Sequence, residues 1–223
     1  MSADTAELDR QLCLAGRALA RHGLVHAYGH CSIRTGDTAF RVSAAKPLGL
    51  LSASDRGTQV SLEGPLPEGV LGEVRIHREI YRLRPEVRAV VRCMPPKLMS
   101  LSTLGRVPRA RHGFGSYFYP APALWSDPQL LRDDGQAHQL ASSLGTQPAI
   151  VMRGNGAVIV GESIQQAVVL SWYLEDAARI ELDCLAAGLA EQGLLSESEA
   201  QRRATWSGRI VERMWDFMTA AAG

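Results

Sequence analysis

Val87-Arg88-Ala89-Val90-Val91-Arg92-Cys93-Met94-Pro95-Pro96 is the stretch on which the reading of this chain turns. Its apolar run has the length of a buried strand, interrupted by Arg88 and then by Arg92. Two prolines stop the strand and open a short helix candidate from Pro96 to Leu104. Just upstream, Gly72 to Leu83 places Val74, His77, Ile80, Tyr81 and Leu83 close to one face of a helix, which Arg84-Pro85 ends. Glu73 falls at the start of that helix. Helix, buried strand and helix in succession indicate an α/β arrangement. Strand alternation sends Arg92 and Met94 to one side of the sheet and Cys93 to the other.

Outward from this segment the chain alternates helices and short strands. Leu8, Leu12, Ala15, Leu19 and Ala20 form a helix-period stripe over Thr5 to Arg21, and Gly23 is a stop signal. His30 to Arg34 and Phe40 to Ser43 read as strands joined across Thr35-Gly36-Asp37, with a further strand over Gln59 to Leu62. The Gly-, Pro- and aromatic-rich segment from Val107 to Leu124 is expected to be an active-site or interface loop. Gln129 to Leu144 is amphipathic. Ala149 to Met152 and Ala157 to Val160 are strands joined across Arg153-Gly154-Asn155-Gly156. Ser163 is expected to cap a long helix through Leu185, and Ser196 another reaching about Thr219. Neither repeats nor low-complexity segments occur, so residues 1–223 are expected to form one domain, helices 163–220 included.

Composition narrows the function classes. A 223-residue chain that is 46% hydrophobic can build a substantial core. Its formal net charge of +1 comes without a polybasic block, which argues against nucleic acid as a partner. The polar start, Met1-Ser2-Ala3-Asp4-Thr5, does not read as a signal peptide, and no apolar run reaches membrane-spanning length. A cytoplasmic location with no membrane partner is the expectation. The 4 cysteines, Cys13, Cys31, Cys93 and Cys184, are scattered and read as free thiols.

Four stretches in register resemble the class II aldolase and adducin family. They are Gly29-His30-Cys31-Ser32-Ile33-Arg34, Glu73 through Tyr81 with His77 inside it, Val87 to Pro96, and Met152 to Gly161 with the Ala-rich helix that follows. The resemblance implies a three-layer α/β/α domain with a central, mainly antiparallel sheet. It also implies a homotetramer with sites between subunits, and cleavage or decarboxylation of small hydroxylated substrates through an enediolate. In the family three histidines hold a divalent metal and a glutamate moves the proton. Glu73 matches that glutamate, whereas Arg92, Met94 and Asn155 stand where the three histidines belong. A guanidinium is always protonated, a thioether is a weak ligand and an amide nitrogen is none, so no metal or other cofactor is expected. Leu71 and Gly72 replace the two serines that hold phosphate in the sugar-phosphate members, which argues against a phosphorylated substrate.

These residues support an enzyme first. Glu73 would act as acid/base and Arg92 would take the place of the metal charge, on a small carboxylated metabolite. The alternatives for Glu73 and Arg92 are a solvated first-turn acid and a purely structural ion pair. Asn155 is either a turn residue suited to left-handed geometry or an amide donor to a substrate oxygen. Met94 would line the pocket. Tyr117 and Tyr119 of the long loop, His30 and Lys46 complete the substrate-binding candidates, and the pattern with the double proline looks closest to the decarboxylase-like branch. Decarboxylation, dehydration, cyclisation and isomerisation all remain open. A catalytically silent binding protein, like the adducin head, is the other class. A third reading would keep a metal through Glu73, His30 and Cys93.

Overall fold

The computed structural model describes residues 3–220; Met1 and Ser2 of the polar start and residues 221–223 lie outside them. Among the described residues, the strands are β1 (His30–Arg34), β2 (Ala39–Val42), β3 (Thr58–Ser61), β4 (Ala89–Cys93), β5 (Ala123–Trp125), β6 (Ala149–Met152) and β7 (Ala157–Gly161). They form one sheet in the order β3-β2-β1-β4-β7-β6-β5. Each neighbouring pair is antiparallel except β5 with β6, which is parallel. β4 therefore sits at the centre of the sheet, as its apolar run requires, and Val90 and Val91 are fully buried. Each such valine contributes about 1.5–3 kcal/mol of transfer free energy.

Helices cover both faces, giving the three layers. α1 (Ala3–Arg21), α3 (Pro96–Thr103), α5 (Ile164–Ala186) and α7 (Ile210–Thr219) enclose one apolar core with Val91 and Cys93. α2 (Val74–Leu83) and α4 (Asp134–Leu144) enclose the other with Val90. The alternation along β4 is thus realised, with Arg92 on the α2 side and Cys93 on the α5 side. Ser163 caps α5 by accepting from the Gln166 backbone amide at 3.1 Å.

Three sequence expectations need correction. The helix capped by Ser196 is broken. α6 (Glu197–Arg203) carries a capping box with Glu199, and the chain then turns before α7. Ala204, at ψ 75°, leaves the helical region and ends α6, and Arg209, at a left-handed φ of 57°, stands just before α7. The long loop contains a 3-10 turn at Gly115–Phe118 and runs into β5, which was not anticipated. Finally, only Asp134–Leu144 of the amphipathic 129–144 stretch is helical, because Asp133 caps it by accepting from the Gln136 amide at 2.8 Å.

Candidate active site

The elements that converge at one end of the sheet leave a cavity of about 780 Å³, within the range of small-molecule sites. Its wall includes His30 from β1, Glu73 from the start of α2, Arg92 from β4, Met94 just after β4, Asn155 from the β6–β7 turn, and Lys46. Tyr117 and Tyr119 do not line it. The Tyr117 hydroxyl donates to the Thr205 backbone carbonyl, and its ring packs against Tyr173 and Trp206. His26, which flanks Gly29, is also outside the wall, and Trp125 lies in β5 at the edge of the α2-side core.

Arg92 is the deepest charge of the site, its side chain 3% exposed. Its Nη1 donates to the Cys93 carbonyl at 2.8 Å. Its Nε lies 3.3 Å from Glu73 Oε2, yet makes no aligned hydrogen bond. Glu73 keeps partial access to the cavity, with 24% of its side chain exposed. Two further buried nitrogens of the cavity wall lack partners among the described residues: Asn155 Nδ2 and His30 Nε2. Three orphaned buried nitrogens along a single cavity are a cost that a bound ligand would relieve.

The β6–β7 turn explains how Asn155 reaches this place. Gly154 and Gly156 take the left-handed backbone conformations, at φ 66° and 79°, while Asn155 itself does not. The left-handed alternative for Asn155 is therefore wrong; its amide is presented by the glycines. A Cβ on Gly156 would sit 2.1 Å from the Cys93 carbonyl oxygen and 2.9 Å from Arg92 Nη1. Only glycine lets the turn close over Arg92.

His30 pairs in register with Arg92 across β1 and β4. Burial, reinforced by the Arg92 charge, pushes the His30 imidazole down to about 3, so it is neutral near pH 7. His77, Ser32 and Tyr81 lie behind it in a hydrogen-bonded row: His30 Nδ1 to His77 Nε2 at 2.8 Å, His77 Nδ1 to Ser32 Oγ at 2.7 Å, and Ser32 Oγ to Tyr81 OH at 2.9 Å. Glu73, His77 and Tyr81 recur every four residues, which puts all three on the same face of the α2 segment.

Sequence reasoning missed two cations of the wall, Arg75 and Arg132. Arg75 donates to Asp134 at 3.0 Å and to the Arg132 carbonyl at 2.5 Å. Its position two residues after Glu73 was the available signal; nothing local marked Arg132. Lys46 is held by Asp55 at 2.8 Å. The wall thus carries four cationic side chains against the single carboxylate of Glu73, a balance suited to an anion.

A divalent metal does not fit this donor set. Arg92, Met94 and Asn155 offer a guanidinium, a thioether and a carboxamide. Among the described residues no three His, Cys, Asp or Glu side chains are placed to hold a metal ion. The reading through Glu73, His30 and Cys93 fails, because Cys93 is buried in the α5-side core and its thiol is pushed up to about 12 by burial.

Comparison with known proteins agrees with this fold. The model of the class II aldolase and adducin N-terminal domain matches residues 10–182. A 3,4-dihydroxyphthalate decarboxylase from Arthrobacter keyseri is 29% identical over 214 residues, covering 85% of this chain and 84% of that protein. Among solved structures, an L-fuculose 1-phosphate aldolase from Glaciozyma antarctica superposes with a TM-score of 0.81 at 25% identity, covering 97% of this chain and 90% of that one. The L-fuculose-1-phosphate aldolase from Thermus thermophilus gives 0.73 at 29% identity, over 85% of this chain and 100% of that one. The central sheet, its two helical layers and the match over most of the chain make this protein a member of the class II aldolase and adducin family, a lyase-type member near its decarboxylase-like branch.

Proposed function

We propose that this chain is a metal-independent lyase acting on a small carboxylated, non-phosphorylated metabolite, with Glu73 as the acid/base and Arg92 supplying the positive charge. The observation that carries the reading is the Arg92–Glu73 pair at 3.3 Å, buried at the cavity wall with the guanidinium Nε left without an aligned partner. A buried pair built only for stability would be closed by hydrogen bonds. This one leaves a guanidinium nitrogen unpaired beside a carboxylate that keeps access to space a substrate can enter.

The chemistry follows from placement. Heterolysis next to a carbonyl or phenol leaves a carbanion whose charge is delocalised onto oxygen. A fixed guanidinium and an amide N–H aimed at that oxygen favour the transition state over the ground state. Arg92 and Asn155 fill those roles. Gripping the departing carboxylate with the deepest cation would stabilise the ground state instead. Holding a second, retained anionic group therefore falls to Lys46, Arg75 and Arg132 at the cavity wall. In a decarboxylation the Glu73 carboxylate takes a proton from a substrate hydroxyl. The carbon–carbon bond breaks, carbon dioxide leaves, the carbanion takes that proton from Glu73, and solvent reprotonates the product oxygen. Met94 and Leu71 give apolar wall against a planar ring. Leu71 and Gly72 offer no hydroxyls for a phosphate. By analogy with the dihydroxyphthalate-decarboxylating relative, a hydroxylated aromatic acid is the substrate class to try first.

The whole chain is proposed to act as one domain in a cytoplasmic homo-oligomer, a tetramer by family analogy. Tyr28, Leu71 and Leu130, exposed apolar residues at the rim of the cavity, suit a site completed by a second copy, to which Tyr117 or Tyr119 would contribute only in trans. No helix among the described residues is long and apolar enough to cross a membrane. The cavity itself favours an enzyme over a silent scaffold, which would have no reason to keep buried polar groups unpaired.

The test is turnover of a panel of hydroxylated aromatic carboxylates, 3,4-dihydroxyphthalate first, by wild type, Glu73→Gln and Arg92→Ala in chelator-treated buffer. Carbon dioxide release or substrate loss that disappears in both variants supports the reading. Turnover that persists in both, or that wild type shows only with added divalent metal, overturns it.

A further inference from the structure

We propose that His30 is a permanently neutral hydrogen-bond donor to substrate, its Nε2–H tautomer locked by the row His77–Ser32–Tyr81 behind the cavity. This rests on the reading of the cavity as a substrate site and assigns a role to a group that the Glu73–Arg92 chemistry leaves unused.

The direction of the row follows from counting donors. Tyr81 is 1% exposed, and burial pushes its phenol well above its ordinary value, so the hydroxyl keeps its proton. Ser32 Oγ is the acceptor within reach of that proton. A phenol that did not donate to Ser32 would bury an unsatisfied O–H, which costs about 1–3 kcal/mol. Ser32, accepting from Tyr81, must then give its own proton to His77 Nδ1, 2.7 Å away. With Nδ1 an acceptor, neutral His77 carries its hydrogen on Nε2 and donates it to His30 Nδ1. His30 in turn carries its hydrogen on Nε2, on the far side of the ring from His77.

That Nε2 is buried and has no partner among the described residues, while His30 itself forms part of the cavity wall. The opposite direction would leave a lone pair instead of a donor at Nε2 and strand the phenol proton at the other end. Protonation is no escape, because Arg92 lies opposite in the sheet and a second positive charge beside it is disfavoured. The consequence is chemical selectivity. The site offers, beside the Arg92 charge and the Asn155 amide, an imidazole N–H that can only donate, so the ligand must place an acceptor oxygen there: a phenolate, carbonyl or carboxylate oxygen. A neutral imidazole in this position polarises an oxygen without titrating across the working pH range. Ser32, His77 and Tyr81 are positioning residues; only His30 touches substrate.

The experiment is nitrogen-15 NMR of the full chain labelled at histidine, without ligand near pH 7, with His30 assigned by the loss of its signals in His30→Gln. The expected spectrum shows His30 neutral and protonated on Nε2, and His77 likewise. Ser32→Ala removes the link that sets the direction, so the same spectrum is expected to show His77 and His30 as tautomer mixtures in a folded protein. A His30 that is protonated on Nδ1, or is an imidazolium, overturns the proposal, as does a tautomer untouched by Ser32→Ala. On adding 3,4-dihydroxyphthalate, a downfield move of the His30 Nε2–H proton supports the donor role. A proton that stays while the Met94 methyl signal shifts contradicts it. A titration in which no cavity signal shifts counts against the substrate class proposed above, while the ligand-free tautomer still decides the lock.

Discussion

Two arginines on neighbouring parts of the sheet meet buried acids in opposite ways. Arg41 on β2 grips Asp9 of α1 through two parallel hydrogen bonds, Nε to Oδ1 at 2.6 Å and Nη2 to Oδ2 at 3.0 Å. The Gly57 amide also donates to Asp9, at 2.9 Å, so the carboxylate is closed off. Arg92 on β4 is buried more deeply yet meets Glu73 only at 3.3 Å and leaves its Nε without an aligned acceptor. A saturated pair ties a helix to the sheet. An unsaturated pair keeps hydrogen-bonding capacity in reserve at an energetic cost, and the place for such a reserve is where a ligand arrives.

Breaking the two pairs should separate activity from stability. Glu73→Gln is expected to lower kcat by roughly 10²- to 10⁴-fold, the range for a lost acid/base group, with little change in Tm. Arg92→Met, which returns an apolar residue to a buried strand, is expected to lose roughly 10²- to 10³-fold in kcat/KM. Its stability should change little, since the desolvation cost of the buried guanidinium is removed while Glu73, 24% exposed, can be solvated. Arg41→Met should do the reverse. Stranding Asp9 costs about 3–5 kcal/mol, read by chemical denaturation, while the folded fraction keeps its kcat. An Arg92→Met protein that unfolds, or an Arg41→Met protein that folds normally but is inactive, would erase the contrast.

Acid should reveal the neutral imidazoles at the open site. His30 is held down to about 3 by burial and then by Arg92, and burial holds His77 well below its usual range. An unfolded histidine titrates at about 6.5, so the unfolded chain takes up protons first as the pH falls. Folding stability is therefore expected to fall between about pH 6.5 and 3, by up to about 1.4 kcal/mol per pH unit for each of these residues. His30→Gln should flatten that slope. A wild-type stability that does not change from pH 6.5 to 5 would contradict two buried neutral histidines. The smallest effect is expected at the cavity wall: Lys46→Ala should raise KM a few-fold and leave kcat unchanged, because its ammonium is already shared with Asp55.

The open site was legible in the sequence wherever short-range pattern decides placement. Glu73 at a helix start, Arg92 and Met94 alternating away from Cys93, and Asn155 between glycines all reached the same cavity. Each depends only on helical or strand periodicity and on a tight turn. The readings that failed or stayed open depend on distant parts of the chain. The position of Tyr117 is set by Tyr173 on α5 and Trp206 beyond α6, which no local pattern announces. Strand β5 has three residues and exists because β6 lies beside it, too short a run for alternation to mark. The long helix expected from Ser196 ended at Arg203, where Ala204 takes a non-helical ψ of 75°, a conformation its side chain does not signal. Arg132 joins the wall through its carbonyl bond to Arg75, a contact made 57 residues away in the chain.

The central claim is that a guanidinium stands in for a metal, and metal content tests it most directly. The purified protein would be measured by mass spectrometry before and after soaking with zinc, manganese and iron, followed by desalting. The expected result is less than stoichiometric metal in every case, with Arg92→Met no different from wild type. One tightly held ion per subunit would contradict the account and send the search for ligands back to the residues around Glu73 and His30.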